Sequence, residues 1–425
     1  MGEPGSKPYD IAKQVFVTAL EKVKSKKGAA GVDGVTVEQF AADYKNNLYK
    51  LWNRMSSGSY FPAPVRMVEI PKKGKRSGTR VLGVPTVGDR VAQTVAVAYV
   101  EPLVEPVFHP DSYGYRPGRS PLDAVAVCRK RCFQYAWAID LDIRGFFDNL
   151  DHDLILKAVS AHVVDKWILL YVERWLKAPL RMPDGTLAAR DRGSPQGASI
   201  SPLLANLFMH YAFDAWMARE FPHVPFERFV DDVIVHCVSE QQARRVKDAI
   251  AARLAECGGL QLHPTKTRIV YCKHSGRHGR HDQVSFDFLG YTFKPRSGKR
   301  TDGTPFTTFS PAISGTSATA IRQEIRRMRL HLRTDLTFKE VAAMINAKAG
   351  GWAAYFGRFR PSETANVLFH IDRYLIRWAR RKYKHLRRAP ARAYQTLVKI
   401  KKSHPGLLAH WRWEAQHRTA TTRAG

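Results

Sequence analysis

Acidic residues are scarce in this sequence of 425 residues. It has 38 Asp and Glu against 68 Lys and Arg, so its formal net charge is +30 at neutral pH. So large an excess of one sign repels itself in the folded state and is most simply balanced by a polyanion. Nucleic acid is therefore the leading candidate partner, and an anionic membrane surface is the second. Hydrophobic residues make up 44% of the chain, which is enough for a real core and excludes a disordered basic tail.

Cysteines and long apolar runs are also few. There are five cysteines, an odd number, and no Cys-x-x-Cys pair, which argues against a disulfide framework and a structural zinc site. A reducing compartment follows, and Cys128 and Cys132 are expected on one helix face as core residues or free thiols. The longest weakly charged run, residues 193–213, contains Ser, Pro, Gln, Asn and His, so no membrane span is predicted. The N-terminus lacks the apolar stretch of a secretion signal.

Charge and periodicity both change near residues 297–320. The length corresponds to about three domains of roughly 150 residues. The last quarter, residues 321–425, carries 24 basic and 6 acidic residues, or +18 of the total +30. Residues 298–303 and the Ser/Thr/Gly-rich stretch after them are typical of turns and a linker, so we place a domain boundary there.

Upstream of this boundary the pattern predicts mixed α/β structure, and downstream it predicts helices. The expected upstream helices lie near residues 10–24 and 199–219, and the expected strands are residues 65–70, 137–143, 228–236 and 267–271. Downstream, Thr337 and Glu340 form a capping box that opens a helix. Two apolar stripes at helical spacing predict further helices: Ile321, Ile325, Met328 and Leu332, and then Ile371, Tyr374, Leu375 and Trp378.

The second of these stripes has a row of cations on the opposite helix face. Such a row is commonly only a solvated face. Seven cations on this one face within sixteen residues, with almost no acid among them, instead favour a face that follows phosphates. The seven are Arg373, Arg377, Arg380, Arg381, Lys384, Arg387 and Arg388.

Two acidic signals stand out because acids are so scarce. Asp140 and Asp142 lie on a predicted strand, where alternation places both carboxylates on one face. Asp231 and Asp232 separate two β-prone apolar runs, and taken alone such a pair is most simply a hairpin turn. A hairpin tip with two carboxylates beside a third from a neighbouring strand would also bind Mg²⁺. Two such ions about 3.5–4 Å apart can drive nucleotidyl transfer.

Short motif-like blocks also follow one another along most of the chain. They include Gly193-Ser-Pro-Gln-Gly197, Phe229-Val-Asp-Asp232 and Gly350-Gly-Trp-Ala-Ala-Tyr-Phe356. The others are residues 27–34, 70–72, 80–85, 113–120, 142–147, 201–206, 262–267, 288–291 and 377–383. In this order the blocks resemble those of bacterial group II intron-encoded reverse transcriptases and maturases. The last blocks resemble the maturase, or X, domain, which is also the polymerase thumb.

The resemblance implies a role for individual residues. Asp142 and Asp231 would be the principal metal ligands, with Asp232 close by and the carbonyl of Ile143 completing the site. Asp140 fits the strand alternation equally well. Asp142 is preferred because the family's aromatic sugar gate follows its catalytic aspartate by five residues, which here is Phe147. The resemblance also implies that Lys72 (or its neighbours Lys73 and Lys75) and Arg80 bind the triphosphate. Gln196 would contact the nucleotide, and Lys266 would support the catalytic loop. Nucleic-acid contacts would come from Arg116, Arg119 and the seven cations of the helix face between residues 373 and 388.

The implied fold is an α+β right-hand polymerase. Residues 1–297 would form the fingers and palm with an N-terminal extension, residues 298–388 the helical thumb or X domain, and residues 389–425 a short basic, DNA-binding-like segment. The implied activity is RNA-directed DNA synthesis with two Mg²⁺ ions and deoxynucleoside triphosphates, in the bacterial cytoplasm at the nucleoid. The protein would also bind its own intron RNA, assist its splicing and support retrohoming into a DNA target. The alternatives are a domesticated relative in defence, repair or diversification, and an RNA-folding cofactor with a vestigial polymerase site.

The sequence departs from the family pattern in two places. Phe229-Val230 stands where the family usually has Tyr-Ala, which removes a hydroxyl and adds β-branched bulk near the primer end. Because both aspartates remain, we expect active chemistry with altered nucleotide or primer handling. The cysteine pairs of a metal-binding endonuclease do not follow the thumb, so the chain resembles the endonuclease-less branch and is not expected to nick DNA by itself.

Overall fold

The computed structural model describes residues 7–71, 79–299 and 302–423. The chain forms two compact units. The first comprises the described residues up to Pro71, residues 79–124 and Trp137–Ile269. The second comprises Val125–Ala136 and the chain from Val270 onward.

Helices account for most of the regular structure. In chain order they are α1 (Lys13–Ser25), α2 (Val37–Ala42), α3 (Tyr44–Ser56), α4 (Val87–Val104), α5 (Pro121–Gln134), α6 (His152–Ser160), α7 (Lys166–Lys177), α8 (Ser201–Met209), α9 (Ala215–Glu220), α10 (Glu240–Glu256), α11 (Gly315–Arg327), α12 (Phe338–Phe356), α13 (Pro361–Lys382), α14 (Pro390–Ser403) and α15 (Ala409–Arg423). A π-helical turn, His210–Asp214, joins α8 to α9.

The described strands form three sheets. They are β1 (Val65–Pro71), β2 (Thr79–Val84), β3 (Trp137–Leu141), β4 (Leu180–Arg181), β5 (Leu187–Ala188), β6 (Phe226–Phe229), β7 (Asp232–Cys237), β8 (Arg268–Tyr271), β9 (Phe286–Phe288), β10 (Tyr291–Lys299) and β11 (Pro305–Ile313). The strand orders are β2-β1-β4-β5, β6-β7-β3-β8 and β11-β10-β9. These elements together confirm the prediction of a mixed α/β chain with a helical C-terminal part.

The first unit is organised around helix α4 and strand β7. Helix α4 is capped by Thr86, whose hydroxyl accepts a hydrogen bond from the Asp89 N–H at 3.1 Å. It is apolar on nearly all sides and correspondingly buried along most of its length, as a core helix should be. Strand β7 is buried at every position after Asp232. An apolar strand of this kind belongs inside a sheet, and β7 indeed pairs with β6 on one side and β3 on the other.

In the second unit the expected linker is partly wrong. Residues 305–313 form β11, which pairs with β10 in antiparallel register from Tyr291 opposite Ile313 to Lys299 opposite Pro305. Phe309 is fully buried, and its ring lies 6.0 Å from that of Phe286. The stretch is rich in Ser and Thr, which resemble turn residues in composition, but its aromatic side chains anchor it as a strand.

The predicted helical features of the second unit are mostly confirmed. Thr337 and Glu340 form both hydrogen bonds of the capping box that opens α12. Ile371, Leu375 and Trp378 are buried on α13. The first stripe ends early, because Arg329 adopts a left-handed conformation (φ 47°) and Leu330 takes the buried position while Leu332 is 46% exposed.

The cysteines and the apolar segments agree with the sequence-based expectations. All five cysteines, which lie within the described ranges, are buried and form no disulfide, including Cys128 and Cys132 on α5. None of the helices in the described ranges combines the length and the apolar character needed to cross a bilayer.

Candidate active site

Three aspartates meet at one edge of the sheet that contains β3, β6 and β7. Leu141 faces Val233 in the β3–β7 ladder, so Asp142 and Asp232 occupy the next facing positions, where Cα atoms are typically about 4.5–5.5 Å apart. Strands β6 and β7 form a hairpin in which Phe229 pairs with Asp232, and Val230 and Asp231 make the two-residue turn. The structure therefore confirms that Asp231 and Asp232 lie at a hairpin, and that this hairpin is next to the strand of Asp140.

Asp140 and Asp142 have different surroundings. The Asp142 side chain is 35% exposed, and Lys266 Nζ donates to its two carboxylate oxygens at 3.1 and 3.2 Å. Its backbone carbonyl accepts from the His263 N–H at 2.7 Å, which fixes the end of β3. Asp140 is only 15% exposed and is paired with Arg268 at 2.9 Å. Asp142 is thus the more accessible carboxylate of the two. Lys266, for which the family resemblance implies a supporting role, contacts it directly.

The turn that carries Asp231 is strained. Val230 has a φ of +64°, a left-handed conformation that β-branched residues rarely adopt and that costs about 1–3 kcal/mol. Val230 is buried, and Gly114 lies directly against it. A Cβ atom at Gly114 would come within 2.6 Å of Val230 Cγ2, so a glycine is required for this close approach.

A cleft of about 250 Å³ opens beside this turn. It brings together four of the residues assigned to the site from the sequence, namely Phe147, Gln196, Asp231 and Asp232. Tyr115, Ser201, Pro202 and Val230 also line it, and the Tyr115 ring lies 6.0 Å from that of Phe229. Tyr115 was not singled out from the sequence, although its position in the 113–120 block is the signal that could have found it.

The loop that carries Gln196 is held tightly against β2. A Cβ atom at Gly197 would lie 2.2 Å from the carbonyl oxygen of Gly83, and one at Gly83 would lie 2.8 Å from Pro195 Cβ. Arg80 lies on the same strand, opposite Ile70 of β1. Lys72, Lys73 and Lys75 fall outside the described residues. The backbone therefore places Gln196 and the strand of Arg80 next to each other.

The donor set fits a hard divalent cation. Carboxylate oxygens, such as those of Asp142, Asp231 and Asp232, and a backbone carbonyl, such as that of Ile143, are of the type that Mg²⁺ prefers in sites that handle phosphates. Within the described residues, the ligand oxygens of these three aspartates do not all lie within 4.8 Å of one another. The Asp142 carboxylate instead forms an ion pair with the Lys266 ammonium group, which is a favourable partner for a carboxylate beside other carboxylates.

The structure corrects the role of Arg116. Its side chain is buried, and every guanidinium N–H has a protein acceptor: the Glu105 carboxylate and the carbonyls of Glu105, His109 and Ser112. All of its donors are used within the protein, so Arg116 ties together the segment before α5 and has no N–H to offer a phosphate in this conformation. Arg119 is exposed and spends one N–H on the Pro110 carbonyl, so it stays a candidate contact.

The cations of the second unit lie mostly in solvent. Arg373, Arg377, Arg381, Lys384, Arg387 and Arg388 are exposed, whereas Arg380 is partly buried and donates to the Arg387 carbonyl at 3.1 and 3.3 Å. We call Arg373, Arg377, Arg381 and Lys384 the C-terminal cation stripe. Its positive field is visible in two histidines. Burial lowers the pKa of His370 and His331, and nearby arginines, including Arg377 for both, lower it further.

Comparisons with known proteins agree with the site. Residues 70–293, which include all three aspartates and the cleft, match the family model for reverse transcriptase (RNA-dependent DNA polymerase). Residues 318–395, which include α12 and α13, match the group II intron maturase-specific domain.

Three curated relatives illustrate the similarity. The group II intron-encoded protein LtrA of Lactococcus lactis subsp. cremoris is 30% identical over 204 residues, which are 48% of this chain and 33% of that protein. Protein YkfC of Escherichia coli K12 is 34% identical over 204 residues, 46% of this chain and 52% of that protein. The putative COX1/OXI3 intron 1 protein of Saccharomyces cerevisiae is 30% identical over 203 residues, 48% of this chain and 24% of that protein.

The chain thus spans a quarter to a half of the length of these relatives. The resemblance to group II intron reverse transcriptases, stated above on sequence motifs, is confirmed by these two domain matches and by the relatives. Because the reverse transcriptase model covers more than half of the sequence and contains the whole carboxylate edge, the chain belongs to the reverse transcriptase (RNA-dependent DNA polymerase) family.

Proposed function

We propose that this protein is an RNA-directed DNA polymerase that also binds a group II intron RNA and assists its splicing. The observation that carries the proposal is the meeting of Asp142, Asp231 and Asp232 at one sheet edge, beside a cleft lined by Phe147 and Gln196. The match of residues 318–395 to the maturase-specific domain supports the splicing role. Retrohoming into a DNA target, a DNA primer as substrate and a location in the cytoplasm at the nucleoid are part of the same proposal.

The arrangement of the chain in this proposal is that of a right hand. Fingers and palm are residues 1–297, the thumb or X domain is residues 298–388, and residues 389–425 are a basic segment that contacts DNA. The sheet with the three aspartates would be the palm, and α12 and α13 belong to the thumb. The all-helical character of α11–α15 and the exposed cations on α13 support a nucleic-acid-binding role for that part.

In the proposed mechanism each side chain has a separate task. Asp142, Asp231 and Asp232, with the Ile143 carbonyl, would hold two divalent ions, which we assign as Mg²⁺. When bound, these ions would supply activation of the primer hydroxyl and stabilisation of the leaving pyrophosphate. Lys72 and Arg80 would bind the triphosphate, Arg80 through its planar fork of donors. Gln196 would contact the incoming nucleotide from the cleft wall, and Lys266 would orient the Asp142 carboxylate.

Primer extension with two matched aspartate variants tests the proposal. The purified protein is expected to extend a DNA primer annealed to an RNA template in the presence of Mg²⁺. Asp142→Asn should lower the rate by about 10³-fold or more, because it removes a charged metal ligand. Asp140→Asn, two residues away on the same strand face, should cost less than about tenfold, because the Asp140 carboxylate is only 15% exposed and is held in an ion pair with Arg268.

Two results would contradict this assignment. Equal losses from both variants would show that the choice of Asp142 over Asp140 is wrong. A wild-type protein that binds RNA but extends no primer would overturn the polymerase proposal and leave the RNA-folding cofactor.

Discrimination against ribonucleotides tests the role of Phe147. Its partly buried ring lines the cleft and lies edge-on to Phe146, with centroids 5.3 Å apart. If the ring blocks a 2′-hydroxyl, Phe147→Ala should reduce the preference for deoxynucleotides by roughly 10–200-fold, the range for one steric element in a pocket. Competition between labelled dNTP and rNTP measures the ratio. Phe147→Tyr, which keeps the ring, is the control, and an unchanged ratio in Phe147→Ala would make Phe147 a simple core residue.

A further inference from the structure

A buried arginine connects the strained aspartate turn to the rest of the first unit. Arg228, in β6, is fully buried, and so is its ion-pair partner Asp214. Arg228 Nε donates to Asp214 Oδ1 at 2.7 Å, and one Nη2 hydrogen goes to the second carboxylate oxygen. Asp214 ends the π-helical turn between α8 and α9, so the pair links that turn to the hairpin.

The remaining N–H groups of Arg228 fasten the turn itself. Nη1 donates to the carbonyl oxygen of Val230 at 2.9 Å and to Asn206 Oδ1 at 3.0 Å, and Nη2 donates to Ser112 Oγ at 2.9 Å. Asn206 in turn donates to the carbonyl of Gly114 at 2.6 Å. Arg228 thus binds the carbonyl of the Val230–Asp231 peptide, and through Asn206 it also secures Gly114, which packs against the preceding Phe229–Val230 peptide and the Val230 side chain.

A contribution to stability is not a sufficient reason for an ion pair at this buried position. A buried ion pair is costly to desolvate, and apolar side chains of similar volume commonly replace one at no loss of stability. A hydrogen bond to the Val230 carbonyl, by contrast, holds the peptide plane that leads into Asp231 in a conformation that a β-branched residue disfavours.

We infer that Arg228, through its bond to the Val230 carbonyl, is a positioning residue that sets the orientation of the Asp231 carboxylate. Asp214 and Asn206 orient the guanidinium, and Gly114 provides the space for the turn. The inference rests on the proposed function of Asp231 as a metal ligand. Arg228 touches no substrate in this assignment, and its effect on the reaction passes entirely through the turn.

The test compares the double variant Arg228→Met, Asp214→Leu with the wild-type protein. This variant removes both charges together and the donor to Val230. Because it also leaves the Asn206 and Ser112 acceptors without their donor, the unfolding temperature should fall, and all rates are compared well below it. Primer extension at saturating dNTP and template should fall about 10–100-fold, the usual cost of a misplaced reacting group. The Mg²⁺ concentration for half-maximal rate should rise several-fold. Independently of activity, amide hydrogen exchange of a peptide covering residues 229–232 should become faster.

Gly114→Ala provides a second variant that leaves the ion pair intact. Its added methyl group would meet Val230 Cγ2 and should give the same raised Mg²⁺ requirement. A double variant with normal Mg²⁺ requirement and unchanged exchange at residues 229–232 would overturn the inference, as would an activity loss that only follows a loss of stability. An inactive wild-type protein would instead refute the proposed function, while the exchange measurement would still test the role of Arg228.

Discussion

Replacing Asp231 and Asp232 together by asparagine is expected to abolish DNA synthesis and to leave splicing assistance intact. Both carboxylates lie at the hairpin tip that opens into the cleft, and in the proposed mechanism both hold divalent ions. Loss of these two charged ligands should lower primer extension by about 10⁴-fold or more, equivalent to about 5 kcal/mol or more of transition-state stabilisation. Asparagine keeps the shape of aspartate and tolerates turn conformations, so the hairpin should persist.

Splicing assistance should persist because it depends on RNA binding and not on the polymerase carboxylates. A maturase acts by binding the folded RNA more tightly than the unfolded RNA, and its contribution is limited to that difference in binding free energy. No carboxylate in the cleft is needed for such binding. Splicing of a cognate intron RNA at low Mg²⁺ and primer extension on an annealed template should be measured on the same preparation. Asp248→Asn, an exposed position on α10, is the control.

The informative failure is a variant that binds RNA normally but does not assist splicing. That result would mean that the polymerase cleft and the RNA-folding surface are coupled, and the two-activity proposal would need revision. Retention of DNA synthesis in the variant would show that the aspartates have been assigned wrongly.

The second large effect, on RNA binding, is expected from removing the charges of the C-terminal cation stripe. Replacing Arg373, Arg377, Arg381 and Lys384 by alanine should weaken intron RNA binding by about 10²–10³-fold, since each phosphate contact is worth on the order of 1 kcal/mol. The slope of log affinity against log salt should also fall by about three to four, because counterion release scales with the number of neutralised phosphates. Splicing should be lost, while extension of an annealed primer at saturating template should persist with reduced processivity.

A matched control separates the position of the charges from their number. Lys177, Arg219, Arg244 and Lys247 are four cations of the first unit that each have an acidic side chain within 4 Å. Among the described residues, no acidic side chain lies within 4 Å of the four cations of the C-terminal cation stripe. Replacing the control set by alanine should change RNA affinity only a few-fold. Equal losses from both sets would show that overall charge, and not this stripe, governs binding.

Arg380 is left out of the stripe variant for a structural reason. It is one of the cations identified from the sequence, but its guanidinium donates to the Arg387 carbonyl just after α13. Removing it would disturb the end of the helix and confuse a loss of phosphate contacts with a loss of structure.

Features that depend only on neighbours along the chain could be predicted from the residues alone. The capping box of Thr337 and Glu340 needs only four consecutive residues, and the buried stripe of Ile371, Leu375 and Trp378 needs only helical periodicity. The strand that leads into Asp142 and the hairpin around Asp231 follow from two-residue alternation and turn chemistry in the same way. The family also followed from the order of short blocks.

Which charged groups are buried and which are exposed depends on the tertiary fold. Arg116 and Arg228 read in the sequence as two more cations in a basic protein. Both are buried because distant segments supply their acceptors, Glu105 to the first and Asp214 to the second. The same is true of Asp140, which pairs with Arg268 from another strand, and of the Ser- and Thr-rich residues 305–313, which are held as a strand by their pairing with β10. Burial and long-range pairing depend on which segments meet in space, and local residue patterns carry no information about that meeting.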